Sequence, residues 1–208
     1  FRASEFLIFA GYGLTDALNI EFEAAMIDAE LERAANDPTA VPDDVSESGL
    51  GDVQTQINWM WSRETVSRPA FFSFFETVYP LQKDKKLIGT SDWELKFGTG
   101  MVRGFKWGTM TIRAAAEYNR SERTFDLGEI AVEYLRRLSS SWRVYTGVEG
   151  TQDEIELITE LQWHFTPGAY AKINNAFGIT SKATDWAPEV GLMMSLWGAG
   201  SGLRGLGH

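Results

Sequence analysis

The sequence predicts an all-β fold, a transmembrane antiparallel up-and-down β-barrel. Three observations carry that prediction. Apolar and polar residues alternate with period two through about eleven successive segments. Only one stretch, 21–33, has a competing helical reading, since Ala and Glu favour helix. The connections tend to alternate between short turns and longer loops, as in single-chain outer-membrane barrels.

The clearest segment is 154–165. Ile155, Leu157, Leu161, Trp163 and Phe165 fall on one parity, with Thr159 its one polar member. Glu154, Glu156, Glu160, Gln162 and His164 fall on the other, with Ile158 its one apolar member. Successive strand side chains point to opposite faces, and a tilted strand crosses a bilayer in roughly 9–11 residues. Thr166-Pro167-Gly168 ends the segment with turn chemistry.

The other elements follow in order. Residues 4–12 read as a strand closed by the turn 13–16. From Ala17, Leu18, Ile20, Phe22 and Ala24 oppose Asn19, Glu21 and Glu23. Beyond Ala25 the apolar set becomes Ile27, Ala29 and Leu31, which a β-bulge near Ala25 would explain. Residues 33–47 read as a polar loop. From Gly51, Val53, Ile57, Trp59 and Trp61 oppose Gln54, Gln56, Asn58 and Met60. Residues 62–69 are a polar connection, 70–79 a strand with aromatics on both faces, and 80–91 a basic loop. Trp93, Leu95, Phe97 and Met101 then oppose Glu94, Lys96, Gly98 and Gly100.

A tight connection at 104–107 leads to Met110, Ile112, Ala114, Ala116 and Tyr118, opposite Arg113 and Glu117. After the loop 119–124, Ile130, Val132 and Tyr134 oppose Glu129 and Glu133. After the turn 136–141, Trp142, Val144, Thr146 and Val148 oppose Arg143 and Glu149. Past Gly168, Ala171, Ile173, Phe177 and Ile179 oppose Tyr170, Lys172 and Asn174, with Asn175 an exception on the apolar side. The loop 180–186 precedes a last strand, in which Val190, Leu192, Met194 and Leu196 oppose Glu189. Residues 1–197 therefore read as one barrel domain, and 198–208 as a Gly-rich tail.

Composition narrows the function classes. The 208 residues carry a formal net charge of -10, which disfavours nucleic acid as a partner, because phosphate binding wants a basic face. The absence of cysteine excludes thiolate catalysis, cysteine zinc clusters and disulfides. Mean hydropathy is -0.21, a value that would suggest a soluble protein, but barrels hide their apolar face in alternation. The chain starts at Phe1 rather than Met, which reads as a processed or trimmed N-terminus. With an even strand number expected for bacterial barrels, the complete protein is predicted to have about twelve strands, one of them preceding Phe1.

The two faces can be assigned roles. The polar parity carries Glu21, Glu23, Glu94, Lys96, Arg113, Glu117, Glu129, Glu133, Arg143, Glu149, Glu156, Glu160, His164, Lys172 and Glu189, and these are the predicted lumen-lining residues. Indoles favour the membrane–water interface. Trp59, Trp61, Trp107, Trp142, Trp163 and Trp197 fall at the short-turn ends of strands, Trp93 and Trp186 at the long-loop ends, and none mid-strand. They form the predicted interface belt, with outer-membrane lipid of a Gram-negative bacterium as the surrounding partner.

Short motifs add a resemblance. Tyr12-Gly13-Leu14-Thr15-Asp16-Ala17-Leu18, Gly49-Leu50-Gly51-Asp52-Val53 and Tyr134-Leu135-Arg136-Arg137-Leu138-Ser139 resemble the turn signatures of outer-membrane barrels of the phenol-degradation meta-pathway family. There a YGLTDRLEL hairpin precedes a GLGD strand start and a later YRLS turn. The similarity spans nearly the whole chain but reports topology. It implies a transporter-like barrel for small hydrophobic or aromatic compounds and brings no catalytic residue. The chain departs from the pattern at its C-terminus, where eleven residues follow Trp197.

Three functions are weighed. The first is a pore or transporter for small solutes with an acidic polar lumen. In it, carboxylates line a cation-preferring path, or Arg113, Arg143, Lys96 and Lys172 pair with Glu117, Glu129, Glu133 and Glu156 and fill the lumen. Inward Phe72 and Phe74 either pack the lumen or form an apolar slide. The second is a structural or interaction barrel with a closed lumen and an envelope protein partner. The third is an outer-membrane enzyme. His164 is the one internal candidate base, but a phospholipase-like triad would place serine two residues later, where Thr166 sits in a turn. No catalytic residue, cofactor or metal site is assigned.

Overall fold

The computed structural model describes residues 1–32, 44–90, 92–120, 123–151, 154–181, 183 and 185–196. They form eleven strands: β1 (Arg2–Gly13), β2 (Leu18–Glu32), β3 (Asp44–Ser62), β4 (Ala70–Tyr79), β5 (Glu94–Phe105), β6 (Gly108–Asn119), β7 (Thr124–Arg137), β8 (Trp142–Gly150), β9 (Ile155–Thr166), β10 (Ala169–Gly178) and β11 (Ala187–Met194). One sheet contains them all in sequence order, each paired antiparallel with the next. The fold is therefore an up-and-down meander. Its edges, β1 and β11, run in the same direction because the strand count is odd. The sheet rolls up far enough that Glu5 of β1 and Glu189 of β11 interact electrostatically.

Period two sorts side chains onto two unlike faces. Neighbouring residues show the contrast. Ile173 is 62 % exposed, whereas the side chain of Lys172 is 20 % exposed. The charged face is the enclosed one and the aliphatic face is bare, the inverse of a water-soluble barrel. Much of the buried apolar set is small, including Ala25, Ala29, Ala115, Ala131 and Ala169, so no thick apolar core forms. Ladder bonds and side-chain pairs on the inner face hold the wall instead.

Connections sort by side. The turns 106–107, 138–141 and 167–168 lie at one end, with 14–17 and 63–69. The longer connections 80–93 and 179–186 lie at the other.

The strand reading holds for the contested stretch, and two other expectations, the loop 33–47 and the place of the bulge, are corrected. The contested stretch 21–33 is strand through Glu32, because its charges and aliphatics alternate at period two throughout. Of the expected loop 33–47, residues 33–43 lie outside the described residues, and 44–47 already belong to β3, paired with β2 from Glu32 opposite Asp44. The register irregularity expected near Ala25 is present, but the extra residue is on β3. Ala24 pairs with Val53 and Met26 with Leu50, so Gly51 and Asp52 together oppose Ala25. β2 keeps its parity against β1 without a break. Ile27, Ala29 and Leu31 thus stay on the inner face, where Glu21 and Glu23 also lie. What changes along β2 is the polarity of both faces. Trp197 and the tail 198–208 lie outside the described residues.

Candidate functional site

Ladder register places the charged residues in rows across the inner face. One row reads Gly11, Glu21, Gln56, Glu76, Lys96 and Glu117. Another reads Phe72, Gly100, Arg113, Ala131, Glu149 and Glu156. Direct and diagonal neighbours on one face are close enough to pair.

Three ion-pair groups result. Lys96 reaches its ladder partner Glu76 at 3.1 Å. Arg113 holds three carboxylates, with Nη2 at 2.8 Å from Glu129 and 3.0 Å from Glu149, and Nε at 3.1 Å from Glu133. Lys172 sits 2.7 Å from Glu189 and 3.6 Å from Glu160. From the last group a polar chain runs on. Gln162 donates to Glu160 at 2.6 Å, His164 Nε2 lies 3.1 Å from Gln162 Oε1, and the His164 ring stacks on Tyr170.

The expected pairing set is met in part. Arg113 takes Glu129 and Glu133 as expected and Lys172 takes Glu160, but Lys96 takes Glu76 rather than Glu117, and the second partner of Lys172 is Glu189 and not Glu156. Arg143 meets neither Glu133 nor Glu156. Its ladder partners are Arg137 and Gln162, and Gln162 is six residues from Glu156 on β9, about 20 Å at strand rise. Glu156 faces Glu149 instead. His164 is engaged by Gln162 and Tyr170.

Glu21, Glu23, Glu94, Glu117 and Glu156 share the inner face without an ion pair among the described residues. Glu5 and Glu76 belong to the same face and were not among the lumen-lining residues expected from sequence. Glu5 shares its parity with Leu7 and Phe9, which hides it. On β2 and β3, Asn19, Gln54, Gln56 and Asn58 accompany Glu21 and Glu23, and amides bond Glu21: Asn19 donates to it at 3.2 Å. A recess of about 50 Å³ opens among Phe9, Glu21, Glu23, Gln54, Gln56 and Glu76. That is room for a water or two, not for an aromatic solute.

Toward the short-turn end the inner wall of β4 and β5 is apolar. Phe72 and Phe74 lie over Gly100 and Gly98, where an added Cβ would stand 2.6 Å and 2.2 Å from the respective rings. The phenyl groups thus fill the space above these glycines.

Aromatics gather at both ends of the bare face. At the short-turn end, Trp61 stacks on Phe71, Trp107 on Phe105, Trp142 on Trp163, and Trp163 meets Phe165. Trp59 stands there 56 % exposed. At the long-loop end, Trp93 packs edge-on against Tyr79, and Trp186 is exposed.

At the long-loop end the β3 bulge serves the connection 80–90. Asp52 accepts the backbone N–H of Leu81 at 2.9 Å and of Thr90 at 2.5 Å. Glu47 accepts those of Lys86 at 3.1 Å and Leu87 at 2.7 Å. Those two amides hold the Glu47 carboxyl below the usual carboxylate range, with Lys85 nearby acting the same way. The GLGD motif is therefore the strand half of a loop anchor, which the sequence showed only as a turn signature.

Among the described residues no group of three or more His, Cys, Asp or Glu could hold a metal ion. No family model and no curated protein matches the sequence. Among solved structures, the chain is similar to the crystal structure of the COG4313 outer membrane channel from Pseudomonas putida F1. The match has a TM-score of 0.60 and 11 % identity, and covers 91 % of this chain and 79 % of that one. At that identity the likeness speaks for the fold.

Proposed function

We propose that this protein is an outer-membrane β-barrel channel of a Gram-negative bacterium that passes small solutes along an acidic inner wall. The observation that carries the reading is the uneven neutralisation of the inner face. On β6 to β11, bases hold most carboxylates in ion pairs. On β1 to β3, Glu5, Glu21 and Glu23 make no ion pair among the described residues: Asn19 and Gln56 donate to Glu21, Glu76 and Glu189 add further carboxylates, and Arg113 and Lys172 act on Glu21 and Glu23 only from beyond ion-pair distance. Uncompensated carboxylates on a wetted wall favour cations. The bare aliphatic face, the two aromatic zones and the fold shared with a channel support a lipid surround. Small hydrophobic or aromatic solutes are the class suggested by the turn-motif resemblance.

A second reading, a closed-lumen structural barrel with an envelope partner, is favoured by the Arg113 group and by the anchored segment 80–90. Planar-bilayer recording and liposome swelling decide between the two. A channel gives stepwise conductance and sugar- or salt-driven swelling; a closed barrel gives neither.

A further inference from the structure

We propose that residues 80–90 form a lid on the inner wall at the long-loop mouth, and that Glu47 and Asp52 are the positioning residues that keep it shut. The inference rests on the channel reading, since a lid regulates a passage.

Three features locate the lid. Its two ends are tied by one carboxylate, Asp52, to Leu81 and Thr90. Its middle is tied by another, Glu47, to Lys86 and Leu87, while Lys85 Nζ donates to the Ser48 carbonyl. Ile88 points at the wall and is 4 % exposed. A Cβ on Gly49 would lie 3.9 Å from Ile88 Cδ1, and one on Gly51 2.7 Å from Ile27 Cδ1. Gly49 and Ile27 are ladder partners on the inner parity, so the segment lies inside the wall.

The polarity of β2 fits this location. Its inner face changes from Glu21 and Glu23 to Ala25, Ile27, Ala29 and Leu31 in the part that the segment serves. Its outer face there changes to Asp28, Glu30 and Glu32, which are water-exposed. The hairpin has left the apolar zone and shelters the segment on its inner side.

The hold is suited to release. Two of its side chains, Pro80 and Ile88, are buried, and the polar ties come from two carboxylates and one carbonyl. The charged group facing Glu47 is Lys85 from the segment, beside the backbone N–H groups of Lys86, Leu87 and Ile88; its β2 ladder partner is Ala29. The ties themselves are to backbone amides, and the added attraction between Glu47 and the Lys85 charge weakens with salt.

The test uses the absence of native cysteine. Ile88→Cys is labelled with a water-soluble maleimide in the folded protein, alone and with Glu47→Ala plus Asp52→Ala. Folding is checked by heat-modifiable gel mobility, and Lys85→Met provides a milder second variant. The expected result is labelling about tenfold faster after the carboxylates are removed, together with larger single-channel conductance. Unchanged labelling in folded variants overturns the anchoring. Faster labelling with unchanged conductance in a conducting protein overturns the lid. Absence of conductance in every form, parent included, overturns the channel reading and the lid with it, and faster labelling then still marks Glu47 and Asp52 as anchors.

Discussion

Arg113 and Glu149 meet at 3.0 Å although their strands, β6 and β8, are not neighbours. Two strand spacings separate their backbones by roughly 10 Å. The residue between them is Ala131, ladder partner of both and 0 % exposed. Its single methyl leaves the guanidinium free to cross β7.

Arg113→Ala leaves Glu129, Glu133 and Glu149 facing one another without a cation. Their side chains are 19–29 % exposed, so the cost is below that of a fully buried charge, roughly 1–3 kcal/mol. Urea unfolding in micelles or vesicles measures it. Ala131→Leu blocks the same crossing and is expected to destabilise with Arg113 intact. Full stability in both variants contradicts the network.

Acid loosens the segment 80–90. Glu47 has a lowered folded value, so its tie is fully present above the ordinary glutamate range and is lost as pH falls through the lowered value. The amide proton shifts of Lys86 and Leu87 report that titration directly. A midpoint below that of an exposed glutamate is expected; one at or above it contradicts the anchor.

Gly98→Val drives a side chain into the space of the Phe74 ring, which is 3 % exposed. Overpacking of this kind costs roughly 1–3 kcal/mol, visible as a lower thermal midpoint. Phe74→Ala in the same background makes room and is expected to restore part of the loss.

The tryptophans give a depth test. Brominated lipids labelled near the headgroup are expected to quench Trp59, Trp61, Trp142 and Trp163 more strongly than lipids brominated near the chain end. The reverse order places these indoles in mid-bilayer and contradicts the belt.

The strands were legible in the sequence because each face keeps one polarity for its whole crossing, as β9 does from Ile155 to Phe165. Where a strand leaves that zone, the rule misleads. Asp28 and Glu30 read as a parity change on β2, when the parity is constant and the surroundings differ. The two exceptions Thr159 and Asn175 turn out to be ladder partners, a fact of register that period two cannot supply. The same gap explains Arg143. Sequence shows that Glu133, Arg143 and Glu156 lie on consecutive strands, but their heights come only from pairing. Glu47 and Asp52 escaped notice because their partners are backbone amides, which carry no residue signature.

The central claim is that solutes pass along the acidic wall of β1 to β3. The reversal potential of single channels in a KCl gradient tests it most directly. The account predicts cation preference, reduced by Glu21→Gln with Glu23→Gln. Anion preference, or a potential unmoved by those substitutions, contradicts it.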